Sequence, residues 1–190
     1  MDLLEFLYDY FEDRPHAAAL IRQRRPYALG LFGAFLGGMS LFVANALAGR
    51  LALFSFSWPS LMLTLVWQIV FLFATTAILH LLLDMTGARG DAGALFVHLG
   101  LAELAWLAAA PMALIVMAVF SNPTWPLRLG FLAVLCWSVA LKVRGVRDEY
   151  AVGEGRAWIT FFLPYAAGAS LIALTGVLAI VALVVKAFAL

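Results

Sequence analysis

The sequence predicts an all-α fold: a polytopic membrane protein with five transmembrane helices, preceded by an N-terminal amphipathic interfacial helix. Three observations carry that prediction. The chain is 65% hydrophobic and only 12% charged, whereas a water-soluble domain is about half apolar and a quarter charged. Its mean hydropathy is +1.01, an excess that a protein of this size has no interior large enough to hide. Five apolar runs each reach the roughly 20 residues a helix needs to cross the hydrocarbon core.

In residues 2–13 the acids Asp2, Glu5, Asp9 and Glu12 recur at spacings of three and four, with Leu3, Leu4, Leu7, Tyr10 and Phe11 on the other face. That is the pattern of an amphipathic helix. Its acidic face repels anionic headgroups, so its apolar face is expected to lie at the membrane interface, under the bundle, or on a partner. The acidic start also lacks the basic n-region of a cleavable signal. A second short helix is expected with Asp13 as cap and Pro15 in its first turn. It runs into the cations of "RQRR", which suit a helix C-terminus and a lipid surface. Residues 1–25 therefore form a cytoplasmic or interfacial segment, and 26–190 the transmembrane domain.

The spans are expected at 27–48, 60–84, 94–120, 125–144 and 158–187. Pro111 and Pro164 are expected to kink the third and fifth. Trp58, Trp125 and Trp158 fall near span ends, as interfacial aromatics do. With the N-terminus cytoplasmic, the inside carries Arg14, Arg22, Arg24, Arg25, Arg89, Lys142, Arg144, Arg147 and Arg156, nine of the twelve basic residues. Arg50, Arg128 and Lys186 remain outside. The positive-inside rule then gives a cytoplasmic N-terminus and an external C-terminus.

In the first span Gly30, Ala34 and Gly38 recur every four residues, and Gly33 and Gly37 do the same beside them. Small residues at that spacing let two helix backbones approach, either within one bundle or between copies. The fifth span carries "AAGAS" at 166–170, then Ala173 and Gly176. Asn45, Gln68 and Ser138 are expected to hydrogen-bond between helices.

Ionisable residues inside spans are costly and mark candidate sites. His80 and Asp84 are four apart and share a helix face. His98 lies about one turn into the third span, at similar depth, so the hairpin is able to bring His80, Asp84 and His98 together. Two histidines and a carboxylate suit a transition metal. The spacing matches no metal signature, and a packing seam lined by two histidines is the plainer reading. Glu103 sits deeper, roughly 13 Å along the third helix. Thr75 and Thr76 lie at similar depth. Lys142 enters from the fourth span and either reaches Glu103 or snorkels to the interface. Buried network member and proton or substrate site are the two readings of Glu103.

No phosphate loop, G-x-S-x-G, H-E-x-x-H or C-x-x-C occurs, and the lone Cys136 forms no internal disulfide. The sequence therefore predicts no enzyme and no cofactor. The net charge of +1 gives no case for nucleic acid. The expected partners are the lipid bilayer and, beyond it, a second copy of the chain or other membrane proteins.

Three stretches resemble the bacterial branch of the Yip family, five-span proteins related to Rab/Ypt-interacting membrane proteins. They are the hairpin "HLLLDMTGARGDAGALFVHLG", the later "AAAPMALI", and "WSVALKVRGVRDEYAVGEGRAWITFFLP". The likeness runs over 26–187. It implies a five-span fold and a bacterial cytoplasmic membrane location, and it supplies no catalytic residues. The missing catalytic motifs, minimal loops, small-residue seams and amphipathic helix lead to the expectation of a non-enzymatic role in partner binding or membrane organisation. The chain departs from eukaryotic members in lacking a long cytosolic N-terminal region and its Asp-Leu-Tyr-Gly-Pro type motif, so no GTPase or coat role carries over. The alternative reading is a small proton-linked transporter or permease using Glu103 and the His80/Asp84/His98 cluster.

Overall fold

The computed structural model describes residues 8–10, 12, 14–49 and 57–188. The helices are α1 (Arg14–Arg24), α2 (Tyr27–Leu47), α3 (Trp58–Met85), α4 (Ala92–Ala102), α5 (Ala109–Val119), α6 (Thr124–Tyr150) and α7 (Glu154–Phe188), with a 3-10 segment, Glu103–Ala108, joining α4 to α5. Five helical stretches are long and apolar enough to cross a membrane, the third being α4, the 3-10 segment and α5 together, Ala92–Val119. The fold is thus an all-α integral membrane bundle. Most of the expected 2–13 helix, and the Asp13 cap, lie outside the described residues. Residues 8–10 and 12 are helical.

Local chemistry explains the helix ends. Ser57 caps α3 by accepting from the Ser60 N–H at 3.4 Å, with Pro59 in the first turn, where its missing N–H costs nothing. At the other end Ala88 N–H returns to the Leu83 carbonyl and Gly87 N–H to the Asp84 carbonyl. Gly87 takes the left-handed φ of 77° that this closure requires. Four residues later Asp91 restarts the chain as the cap of α4, its Oδ1 accepting from the Ala94 N–H at 2.8 Å. "TGARGD" is therefore a stop, a short crossing and a start.

Two span boundaries differ from the expectation. The fourth span continues six residues past 144, to Tyr150, and the fifth begins at Glu154. The charges of "KVRGVRDEY" do not mark an exit into a long basic loop. They continue the helix, and only residues 151–153 connect it to α7. The third span is not simply kinked at Pro111. It changes to 3-10 geometry from Glu103 to Ala108, just before the proline.

The bundle is built around α4. Every residue from Ala94 to Ala102 is buried, the signature of a helix enclosed on all sides. It packs against α2, α3, α6 and α1, while α7 packs mainly against α6 and α3 among the described residues. The small-residue stripe of α2 makes the closest of these contacts. Gly30, Gly33, Ala34, Gly37 and Gly38 are all buried. A Cβ on Gly30 would meet Val97 Cα at 3.0 Å, one on Gly33 the Gly100 carbonyl oxygen at 2.6 Å, and one on Gly37 the Glu103 carbonyl oxygen. The stripe is used inside the chain and is not free to join a second copy.

The remainder of α7 contrasts with this. Ala157 and Phe161 are buried against the bundle, whereas every residue from 165 to 183 is exposed. At 1.5 Å per residue the 35 residues of α7 run about 52 Å, well beyond the ~30 Å hydrocarbon core.

Candidate functional site

Glu103 lies where α4 ends, 4% exposed. Lys142 of α6 reaches it, Nζ to Oε1 at 2.6 Å, and the lysine side chain is itself only 16% exposed. Counted along the helices, Glu103 is about 16 Å from the start of α4 and Lys142 about 12 Å from the end of α6. Both ends lie on the same side of the bundle, here called the hairpin side. The pair therefore sits near mid-membrane. Two opposite charges in contact remove the large cost of either alone in an apolar interior.

The helix around this pair is broken, and hydroxyls repair the break. Pro111 has no N–H to offer the Leu107 carbonyl four residues earlier. Ser40 of α2 supplies the missing donor, its Oγ donating to Leu107 O at 3.1 Å. The same Oγ accepts from the Ala110 N–H at 3.2 Å. Ser138 of α6 donates to the Ala102 carbonyl at 3.4 Å, at the start of the 3-10 segment. Irregular backbone persists at this depth because protein groups satisfy it. The α2 glycines let the Ser40 backbone come close enough to do so.

A second polar network closes the hairpin side. Arg22 of α1 pairs with Glu149 at 3.1 Å, Nε to Oε2, and donates to the Asp148 and Glu149 carbonyls at 2.9 and 2.6 Å. Glu149, 2% exposed, accepts from the Asp91 N–H on its other oxygen at 2.9 Å. Asp91 in turn pairs with Arg25 at 2.8 Å. Four charges thus tie α1, the start of α4 and the end of α6 together. The sequence reading missed this network. Its signal is the meeting of "RQRR" with "RDE" and a helix-capping aspartate.

The two histidines are not brought together, which corrects both the three-ligand cluster and the packing seam. His80 Nδ1 lies 2.5 Å from the Tyr150 hydroxyl. Tyr150 is wedged under the hairpin, where a Cβ on Gly90 would strike its ring. Asp84 is exposed one turn below His80. His98 faces α6 instead, its Cβ packed where a side chain on Gly145 would stand. Its Nε2 is buried and has no hydrogen-bond partner among the described residues, and the ring lines a cavity of about 20 Å³ with Tyr10, Arg144 and Asp148, room for one water. Among the described residues no group of three metal-ligating side chains exists. The cause is azimuth: His80 and His98 have similar depth but turn toward different residues at the hairpin-side end of α6, Tyr150 and Gly145.

Asn45 does not bridge helices either. Its Nδ2 donates to the Leu41 carbonyl of its own helix at 2.8 Å. Thr76 likewise donates to Leu72 O at 2.8 Å, so its hydroxyl is spent away from Glu103.

Comparison of the chain with protein-family models, with curated proteins and with solved structures finds no match.

Proposed function

We propose that this chain is a non-enzymatic integral membrane protein that acts by binding a partner within the bilayer, either a second copy of itself or another membrane protein. The observation that carries this reading is the unpartnered stretch 165–183 of α7. The small-residue stripe of α2 is buried, while Gly168 and Gly176 have nothing within 4 Å of a Cβ. A helix face of Ala166, Ala169, Ala173 and Gly176, all exposed, invites close backbone approach of another helix. The resemblance to bacterial Yip proteins belongs to the same proposal, as do a bacterial cytoplasmic membrane location, a cytoplasmic N-terminus and an external C-terminus. The test places a photo-crosslinking residue at position 173 in intact membranes, with position 159 near the docked start of α7 as control. Protein adducts at 173, together with a partner retained in mild detergent, support the reading. Lipid adducts alone at 173 overturn it.

A second reading is favoured by one specific observation, the charged pair Glu103–Lys142 at a helix break near mid-membrane. Broken helices with ionisable groups at that depth occur in transporters. On this reading the chain is a small proton-linked transporter. Proton flux into liposomes that disappears in Glu103→Gln, with no partner retained, would replace the first reading with this one.

A further inference from the structure

We propose that the furrow between α2, α3 and the start of α4 binds one phospholipid of the hairpin-side leaflet, with an acyl chain along the furrow and an ammonium headgroup on Asp84. The furrow has a volume of about 780 Å³, and Leu31, Ile69, Phe73, Ala77, Leu81 and Phe96 supply apolar walls. That volume is in the range of small-molecule sites.

Its length selects a lipid over a helix. Along α3 it runs from Ile69 to Asp84, about 22 Å at 1.5 Å per residue. Half of a 40–45 Å bilayer, headgroups included, is roughly the same. A partner helix crossing the membrane would need the furrow to continue through the other leaflet.

The walls are held by fixed contacts. Tyr27 lies across Gly93, whose missing side chain makes the room. Phe96 is held between Tyr27 and Phe73, with ring centroids 6.5 and 6.0 Å away. Thr76, midway along, has its hydroxyl bonded within its own helix, so the middle of the furrow makes no polar demand.

Polarity is confined to the hairpin end. There His80 is hydrogen-bonded through Nδ1 to the Tyr150 hydroxyl, and Asp91, just before the start of α4, is engaged by Arg25. Asp84, one turn beyond His80 on the same face, has no hydrogen bond or ion pair from its side chain among the described residues. An exposed carboxylate at the end of an apolar furrow complements a cationic head on an apolar tail.

This site does not rest on the α7 reading, and crosslinking at 173 does not probe it. The full chain is exchanged into nanodiscs of equal phosphatidylethanolamine and phosphatidylglycerol with identical acyl chains. Retained lipid is then read by native mass spectrometry. One lipid is expected per chain, with the ethanolamine lipid favoured about three- to five-fold, the ratio an interfacial ion pair supports. Asp84→Asn brings the ratio to near one while a lipid remains bound. Ala77→Trp fills the furrow and removes the lipid, and Leu31→Trp does the same from the opposite wall should the first variant fail to fold. A ratio indifferent to Asp84→Asn, a preference for phosphatidylglycerol, lipid retention unaffected by both tryptophans, or a lipid-free dimer joined through the furrow would each overturn the proposal.

Discussion

Glycine does opposite things in α2 and in α7. In α2 it removes atoms so that a second backbone can occupy their place: Gly37 sits directly on the Glu103 carbonyl. In the exposed stretch of α7 beyond residue 164, Gly168 and Gly176 face open space. One region has spent its small residues on intramolecular contact, and the other holds them in reserve. The same contrast holds for charge. Lys142 is locked to Glu103 inside the bundle, whereas Lys186 at the end of α7 is exposed. What the difference teaches is that a small-residue stripe or a lone cation has no fixed meaning in a membrane sequence until its neighbours are known.

The largest test of this contrast is the ion pair. Lys142→Met leaves a buried carboxylate alone and is expected to cost about 3–5 kcal/mol, read as a drop in the unfolding midpoint in mild detergent. The double variant Glu103→Leu with Lys142→Met removes both charges and should recover most of the loss. Lys186→Met should shift the midpoint by less than about 0.5 kcal/mol. A silent Lys142→Met would break the contrast.

Gly37→Ala is next. Its methyl group meets backbone that has little room to yield, and overpacking of this kind costs about 1–3 kcal/mol. Destabilisation in the same assay, with a bundle that still folds, is the expected outcome. Ser40→Ala strands the Leu107 carbonyl that Pro111 cannot serve, at a cost of about 1–3 kcal/mol. Restoring a helical donor with Pro111→Ala in the Ser40→Ala background should return part of that stability, which ties the serine to the proline rather than to general packing.

The smallest effect is Gly176→Ala. With nothing to strike, the added methyl should leave stability unchanged or raise it by up to about 1 kcal/mol through helix propensity. A clear loss in the isolated chain would mean that this half of α7 packs on its own bundle after all. A loss only of partner adducts at 173 would sharpen the contrast, since it would place the reserve surface in use.

The five spans were legible because their signal is one-dimensional: a run of apolar residues reports its own length. Glu103 was legible as a buried polar residue for a similar reason, and its pairing with Lys142 was one of two readings, the other being a lysine that snorkels to the interface. What escaped was azimuth. Depth along a helix can be counted from the sequence, but the face a residue presents depends on how neighbouring helices rotate. His80 and His98 share a depth and nevertheless meet Tyr150 and Gly145 respectively. The end of α6 was misplaced because charge was taken as an exit signal. A helix continues readily through charged residues when Arg22 and Asp91 wait beyond it to satisfy Glu149. Ser40 was invisible for want of a rule linking it to a proline seventy-one positions on.

The 3-10 segment also resets the phase of the third span. An α-helix advances about 100° per residue and a 3-10 helix about 120°, so six residues of the tighter winding turn everything that follows by about 120°. They also lengthen the span by roughly 3 Å. Before the segment every residue from Ala94 to Ala102 is buried, and after it only Ala109 and Ala113 of α5 are. One apolar run in the sequence is thus two helices out of register with each other, one serving as the axle of the bundle and the other as part of its rim.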